Sequence, residues 1–382
     1  MCALDLSQVL RIILVSMYTS ASSKQRTGVR MTFSGWKRRL AATGAALTAL
    51  AVLVPGAQAQ DKVLNLYSAR HYQTDEALYQ NFTRATGIRI NRVDLDDAGL
   101  LARLQTEGRS SPADVILLVD AARLWRAEVD GLFQPVKSKI LDERIPAALR
   151  GKDDGQGSQW FGLSTRARVI VYDKQRVAKK DVETYEKLAD PVNKGLVCTR
   201  SGSHPYNLSL FSAMFVHLGA AGTETWLKGV THNMARAPKG GDTDQIRAVA
   251  SGECGIAVTN TYYLARLMRS SAPADRSVIE RVGVVFPNQA DHGTHVNIAG
   301  GAVARNAKNV ESAVRFLEYL ASDEAQGYFA NGNNEWPAVR SVKLSNPALE
   351  AMGPFKAETV PIAVIGQNQS KVQEILDRVG YR

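Results

Sequence analysis

The sequence predicts an α/β protein in which two lobes enclose a cleft. Short apolar runs rich in β-branched residues alternate with longer segments of helical spacing, the order typical of sheets whose strands are joined by crossover helices. The chain has 382 residues, 45% of them hydrophobic, which is enough for two or three buried cores. Because two strand–helix–strand groups follow one another, the pattern favours one lobe for each group.

The first group begins with a strand, and we expect its strands to be parallel because helices separate them. Its strand candidates are residues 63–67, 88–93 and 114–118. The intervening helices are expected at 75–86 and 99–107, and a glycine follows each of them.

The second group continues the alternation. Its strand candidates are 160–163, 169–172, 196–199, 255–259 and 282–286. Helices are expected around 207–217 and at 262–269, 310–321, 322–329 and 370–379. In open α/β sheets ligands bind beyond the carboxyl ends of strands, where helix N-termini also point, so functional residues should follow strands.

The region from Met31 to residue 59 is typical of a cleavable secretory signal. A basic stretch at 37–39 precedes an apolar run at 40–54, and residues 57–59 supply a small-x-small cleavage pattern. The apolar run falls short of the roughly 20 residues that a membrane-spanning helix needs. We therefore interpret residues 1–30 as an upstream extension, Met31 as the start, and the protein as exported.

The net charge of +10 does not indicate nucleic-acid binding. Residues 1–59 hold seven of the 47 basic residues and one of the 37 acidic ones, so the remainder carries 40 against 36, a net charge of +4. No basic run remains in it. Export and this modest charge together argue against a nucleic-acid partner.

Two cysteines, Cys198 and Cys254, remain after the signal segment, each in or beside a strand candidate. In an exported protein they are either a disulfide or two buried thiols, and their positions are compatible with both. Neither lies in a CxxC motif, which argues against redox or structural-zinc roles.

Tyrosines mark three strand-to-helix junctions. Tyr72 follows His71 after the first strand, Tyr206 follows the strand at 196–199, and Tyr262 and Tyr263 follow the strand at 255–259. If the strand ends meet at the cleft, four phenols and one imidazole gather there.

Phenols are unusual metal ligands because their pKa is about 10 and they bind as phenolates. A hard, strongly acidic cation is needed to remove the proton near neutral pH, and Fe³⁺ is the abundant ion that does so. Four phenolates around Fe³⁺ leave a charge of −1, which Arg266, one turn after Tyr262, could offset.

Each residue alone has a simpler interpretation. A tyrosine at a strand end commonly packs with its hydroxyl at the surface, and His71 or His204 could bind a local backbone group. Only the conjunction of the three junctions favours a metal site.

The sequence from residue 61 onward resembles the periplasmic ferric ion-binding proteins, the solute-binding subunits of iron(III) ABC importers, in the subgroup with a His-Tyr pair near the mature N-terminus. The stretches that carry the resemblance are NLYSARHYQTDEALYQNFTRATGI (65–88), SPADV (111–115), CTRSGSHPYNLSL (198–210), ECGIAVTNTYYLARL (253–267) and NNEWPAV (333–339).

The resemblance implies a type II periplasmic-binding-protein fold, with a mixed sheet flanked by helices in each lobe and a hinge between the lobes. We expect residues 61–160 with 288–340 in one lobe and 161–287 with 341–382 in the other. The resemblance also implies a monomer that captures Fe³⁺ in the periplasm and delivers it to an inner-membrane ABC permease. The implied ligands are His71, Tyr72, Tyr206, Tyr262 and Tyr263.

Some members of that family also bind a synergistic anion such as carbonate, and some use a carboxylate ligand. The sequence shows no clear counterpart of that carboxylate, and Arg70 and Arg103 are the candidates for holding the anion. Related two-lobed proteins carry thiamine, polyamines, sulfate or phosphonates, so a small organic ligand or oxyanion is the alternative cargo.

An enzyme is disfavoured by the motifs. The chain from residue 60 has no GxSxG elbow, HExxH helix or GxxxxGK[ST] loop. The histidine pair His292 and His295 has a spacing that could serve a metal on a loop, but Gly293 between them favours a simple turn.

Overall fold

The structure is a computed structural model that describes residues 62–70 and 72–382. The predicted upstream extension and signal segment, as well as His71, lie outside the described residues. Among the described helices, none combines the length and the apolar character needed to cross a membrane.

Strands and helices alternate along the described chain. The strands are β1 Val63–Ser68, β2 Arg89–Asp94, β3 Val115–Leu118, β4 Phe161–Asp173, β5 Val197–Cys198, β6 Ile256–Asn260, β7 Val282–Val285, β8 Val296–Val303 and β9 Trp336–Pro337. The helices are α1 Asp75–Thr86, α2 Asp97–Glu107, α3 Ala121–Val129, α4 Lys139–Arg144, α5 Pro205–His232, α6 Asp242–Ser251, α7 Thr261–Met268, α8 Pro273–Arg281, α9 Val310–Leu320, α10 Asp323–Asn333, α11 Pro347–Ala351 and α12 Ile362–Val379.

The strands form one mixed sheet in the order β2-β1-β3-β8-β4-β6-β5, with β7 and β9 also paired to β4. The expected parallel pairing of the first three strands is confirmed, since β1 pairs in parallel with both β2 and β3. The pairs β3–β8, β8–β4 and β4–β6 are antiparallel.

The two strands predicted at 160–163 and 169–172 are wrong as separate elements, because they are the ends of the single strand β4. The first part of β4 pairs with β8 and β9, and the last part pairs with β6 and β7. The polar middle of the strand, which holds the buried Arg166 and Arg168, interrupted the apolar pattern. One strand therefore runs through both halves of the sheet.

The sequence analysis missed β8, the strand between β3 and β4, because Gly300 and Gly301 weaken its strand pattern. Both glycines are required by close packing. A Cβ atom on Gly300 would lie 2.7 Å from Leu124 and 2.8 Å from the carbonyl oxygen of Phe161, and one on Gly301 would lie 2.8 Å from Leu117.

Helices α5 and α12 are several turns and about two turns longer than predicted. Helix α5 extends to His232 but is broken at Gly219, where φ is +68° and ψ is 178°. Helix α12 begins at Ile362 rather than near Ser370 and packs on α5 and α3.

Of the two alternatives for the cysteines, the structure has the disulfide. Cys198 at the end of β5 and Cys254 just before β6 are bonded, with Cα atoms 5.9 Å apart. Parallel pairing of β5 with β6 brings the two residues together.

Buried apolar residues form separate clusters. One large cluster comes from residues 64–163 and 303–339, and another from residues 170–285 and 372–381. The assignment of segments to lobes, with its boundaries, stays a prediction.

We expect Gly300→Ala to lower the free energy of unfolding by about 1–3 kcal/mol, because its methyl group must displace strand backbone. The matched control is Gly327→Ala in α10, where nothing lies within 4 Å of the added Cβ atom and alanine favours the helix. Urea denaturation measures both variants. Equal stability of the two proteins would contradict the packing role of Gly300.

Candidate metal centre

Three strand-to-helix junctions carry the predicted tyrosines. Tyr72 lies between β1 and α1, Tyr206 is the second residue of α5, and Tyr262 and Tyr263 lie in the first turn of α7, directly after β6. The junctions come from distant parts of the chain, and the pairing of the strands around β4 places their ends together.

The four phenols form one group, called here the tyrosine cluster. The hydroxyl oxygens of Tyr206 and Tyr262 are 3.2 Å apart. The ring of Tyr262 lies edge-on to that of Tyr72, with centroids 5.6 Å apart, and its centroid is 4.2 Å from that of Tyr263. The fifth predicted ligand, His71, lies outside the described residues.

The cluster is buried on one side and reachable on the other. Tyr206 and Tyr262 are 5% and 1% exposed, whereas Tyr72 and Tyr263 are partly exposed. A cavity of about 510 Å³ adjoins the cluster and is lined in part by Tyr206, His204, Arg123 and Asp97. Burial raises the pKa of the Asp97 carboxyl group to about 6.

The start of α5 explains the position of Tyr206. Pro205 occupies the first helical position, which needs no N–H donor. His204 caps the helix, and its Nδ1 accepts a hydrogen bond of 3.2 Å from the backbone N–H of Tyr206. The imidazole also packs edge-on against the Tyr206 ring, with centroids 4.6 Å apart.

Buried arginines surround Tyr206, and the sequence analysis did not identify them. Arg166 and Arg168, each 1% exposed, project from the same face of β4, because side chains two residues apart share a face. Their guanidinium carbons lie 5.5 and 5.9 Å from the centroid of the Tyr206 ring, and that of Arg200 lies 5.2 Å from it.

These three cations differ in what neutralises them. Arg168 and Arg200 both form ion pairs with Asp242. Arg166 donates from Nη2 to the carbonyl oxygen of Val119, while its Nε and Nη1 have no hydrogen-bond partner among the described residues. Arg166 therefore keeps buried positive charge beside the phenols.

Glu335 is the second residue that the sequence analysis missed as a member of the site. This carboxylate is 1% exposed and accepts hydrogen bonds from the Tyr72 hydroxyl (3.1 Å), Ser164 Oγ (2.9 Å) and Arg70 Nη2 (3.2 Å). An acidic residue directly before the short strand β9, within the NNEWPAV stretch, was the only signal in the sequence.

The two arginines considered for an anion have other partners. Arg70 is bound by Glu335 and by Asp75, 2.6 Å from its Nε. Arg103 pairs with Glu107 at 2.6 Å and lies over the ring of Tyr67. Arg266, suggested as a counterion, lies 5.6 Å from the centroid of the Tyr263 ring.

The surroundings hold the phenols in the protonated state. Burial raises the pKa of Tyr262 well above its ordinary value, and the neighbouring Tyr206 and Tyr72 raise it further. Burial also raises the pKa of Tyr206, and burial together with Glu335 raises that of Tyr72. Arg166 acts in the opposite direction on all three. A bound cation would have to displace these protons, which requires a strong Lewis acid.

Comparisons with known proteins show that this chain is similar to bacterial solute-binding proteins and to iron uptake proteins. A family model described as bacterial extracellular solute-binding protein matches residues 77–354. Iron uptake protein A1 of Synechocystis sp. is 46% identical over 86% of this chain and 89% of its own length.

Solved structures extend the comparison to the fold. The Trichodesmium protein IdiA (FutA), in complex with iron and citrate, superposes with a TM-score of 0.78 at 46% identity, over 84% of this chain and all of that one. The ferric binding protein from Campylobacter jejuni superposes with a TM-score of 0.79 at 39% identity, with the same coverage.

We expect the metal-free protein to lose stability as the pH rises above about 10. The unfolded chain releases tyrosine protons near the ordinary pKa of 10.0, whereas folded Tyr206 and Tyr262 retain theirs, so deprotonation favours unfolding. Urea denaturation at pH about 8 and about 11 measures the loss. The double variant Tyr206→Phe/Tyr262→Phe should lose less, and an equal loss in both proteins would contradict the raised pKa values.

Proposed function

This chain belongs to the family of bacterial extracellular solute-binding proteins and has the two-lobed type II periplasmic-binding-protein fold, and from its tyrosine cluster we propose that it captures Fe³⁺ in the periplasm for delivery to an ABC permease. The resemblance to the ferric ion-binding proteins, first noticed in the motifs, is confirmed. The observation that carries the proposal is the gathering of four phenols from three distant junctions.

The chemistry of the cluster favours a trivalent ion. Three or four phenolates supply hard, negatively charged oxygens, which suit Fe³⁺ better than Ca²⁺ or Mg²⁺ with their preference for carboxylates and carbonyls. We assign Tyr72, Tyr206, Tyr262 and Tyr263 as ligands and keep His71 as the proposed fifth.

Arg166 is assigned the balancing charge. With four phenolates the iron site carries −1, and a buried guanidinium beside Tyr206 offsets it without entering the ligand sphere. Its Nε and Nη1 are also better placed to hold a synergistic anion than the groups of Arg70 or Arg103, which already bind carboxylates.

Glu335 is assigned the role of holding Tyr72 before iron arrives. Its carboxylate accepts the Tyr72 hydroxyl proton in a hydrogen bond, and Arg70 and Ser164 fix its orientation. Iron binding would replace this hydrogen bond by a metal–oxygen bond, so Glu335 keeps the phenol aimed at the site.

Coordination couples to closure of the lobes in this proposal. Tyr72 belongs to the expected first lobe, and the other three tyrosines belong to the second. Because the full ligand set exists only when the lobes are together, iron binds the closed state more tightly and stabilises it. Opening by the permease would then release the ion.

The cationic alternatives among the cargoes fit the site less well. A polyamine or thiamine cation needs unpaired carboxylates, but Glu335 and Asp242 are bound to arginines. Asp97, in the cavity beside Tyr206, accepts a hydrogen bond from the backbone N–H of Val119. We infer that the protein acts by binding and not by catalysis, in keeping with the named functions of its relatives.

Ferric salt added to the purified protein should produce a red-purple phenolate charge-transfer band. Tyr206→Phe and Tyr262→Phe should each weaken the band and lower iron affinity by at least about tenfold, since each removes an anionic ligand. Tyr319→Phe, on helix α9, is the matched control and should keep both. Full colour and affinity in the Tyr206 and Tyr262 variants would exclude the cluster as the iron site.

We expect Arg166→Met to shift the pH dependence of iron binding toward higher pH. The guanidinium lowers the pKa of Tyr72, Tyr206 and Tyr262, so its loss makes their protons harder to displace. Arg166→Lys keeps the charge and serves as the control. The band is followed across pH in the three proteins, and coincident profiles would rule out an electrostatic role for Arg166.

A further inference from the structure

A second group of metal-binding side chains lies around Glu358. His217, His292 and Glu358 each offer one ligand atom, and these atoms all lie within 4.8 Å of one another. His217 is in α5 before the break at Gly219, His292 is in the loop between β7 and β8, and Glu358 is in the segment between α11 and α12. We call these three residues the His–Glu cluster.

The two imidazoles are held face to face. Their rings stack with centroids 3.7 Å apart and planes inclined by 12°. Nε2 of His217 is 3.4 Å from Oε2 of Glu358, which is long for a hydrogen bond. Nε2 of His292 has no hydrogen-bond partner among the described residues, and carboxylate oxygens of Glu186 and Asp291 lie 3.6 and 3.8 Å from it.

A hydrogen bond on one oxygen orients the carboxylate of Glu358. Its Oε1 is bound by Nδ1 of the buried His295, which leaves Oε2 facing His217. The backbone N–H of Glu358 donates to Thr294 (2.9 Å), and the N–H of Thr294 donates to Lys356 (2.8 Å). A ligand oriented by a second imidazole in this way is a recurrent feature of protein metal sites.

The charge of the cluster suits a cation. The Glu358 carboxylate lies against His217 and the buried His295 and contributes negative charge to the cluster. Glu186 and Asp291 add negative charge nearby, and the ammonium group of Lys356 is bound to the backbone oxygen of Asp291. The side chains of His217 and His292 are 22% and 18% exposed, so an ion from solvent can reach both.

We propose that His217, His292 and Glu358 form a second metal site, which takes Zn²⁺ or another divalent ion of similar softness. Two imidazoles and one carboxylate are a donor set typical of zinc, with water or Glu186 available for the fourth position. Zinc–nitrogen bonds of about 2.0–2.1 Å require ligand atoms roughly 3.3 Å apart. Because the lone pair of an imidazole lies in the plane of its ring, the two stacked rings must rotate out of their parallel arrangement to bind one ion.

This site differs from the tyrosine cluster in the hardness of its ligands. Neutral imidazoles favour borderline divalent ions, whereas phenolates favour Fe³⁺. A bound divalent ion would join α5, the loop before β8 and the segment before α12. Helix α12 in turn packs on α3 and α5.

The test uses Co²⁺ as a coloured substitute for Zn²⁺. The full-length protein with Tyr262→Phe, which impairs the tyrosine cluster, is titrated with Co²⁺ and then with competing Zn²⁺. We expect one Co²⁺ per chain with visible absorption bands, displaced by Zn²⁺. His217→Gln or His292→Gln should weaken binding by about tenfold or more.

His232→Gln, an exposed histidine at the end of the same helix, is the matched control and should bind as the parent does. An unchanged ferric band in the His217→Gln variant with the tyrosines intact shows that the variant folds. Equal Co²⁺ affinity in the parent and in both His→Gln variants would overturn the proposal. Absence of Co²⁺ binding in the Tyr262→Phe parent would also overturn the proposal, because the His–Glu cluster is intact in that variant.

Discussion

The buried guanidinium of Arg166 beside three buried or half-buried phenols is the interaction on which the site depends. Burial alone keeps the phenols protonated, and it also makes them poor ligands, because each must lose its proton to bind. A fixed cation in the same region of low dielectric lowers that barrier. In the proposed iron site, the phenols are therefore neutral when the site is empty, and the nearby cation makes them easier to ionise when a trivalent ion binds.

The position of Arg166 depends in turn on β4. This strand pairs with β8 and β9 at its start and with β6 and β7 at its end, so its middle lies between the two halves of the sheet. A charged residue is tolerated there because the carbonyl oxygen of Val119 accepts a hydrogen bond from one of its N–H groups and the ring of Tyr206 faces it. Close packing of Gly300 and Gly301 in β8 keeps the neighbouring strand against β4.

Two kinds of metal chemistry are thus proposed for different parts of the fold. The tyrosine cluster gathers oxygens at strand ends, while the His–Glu cluster gathers imidazoles on loops and on the flank of α5. In these proposals a hard trivalent ion binds the phenols and a softer divalent ion binds the imidazoles.

The sequence alone determined the features that are local in the chain. Helix α1 was predicted to its exact ends, because a glycine in the left-handed conformation terminates it, and the parallel order of β1, β2 and β3 followed from the crossover pattern. The tyrosines could be located because they follow strands, and the resemblance to a family rested on contiguous motifs.

Tertiary structure decided the features in which distant residues meet. Periodicity split β4 at its arginines, since a buried charge is recognisable only when its partners are known. Glu335 and Tyr72 lie 263 positions apart, and no local pattern joins them. The disulfide was one of two open alternatives until strand pairing brought Cys198 to Cys254. The sequence predicted a simple turn at His292. Only the fold places His217 and Glu358 beside it, because these residues are far apart in the chain and no local pattern relates them.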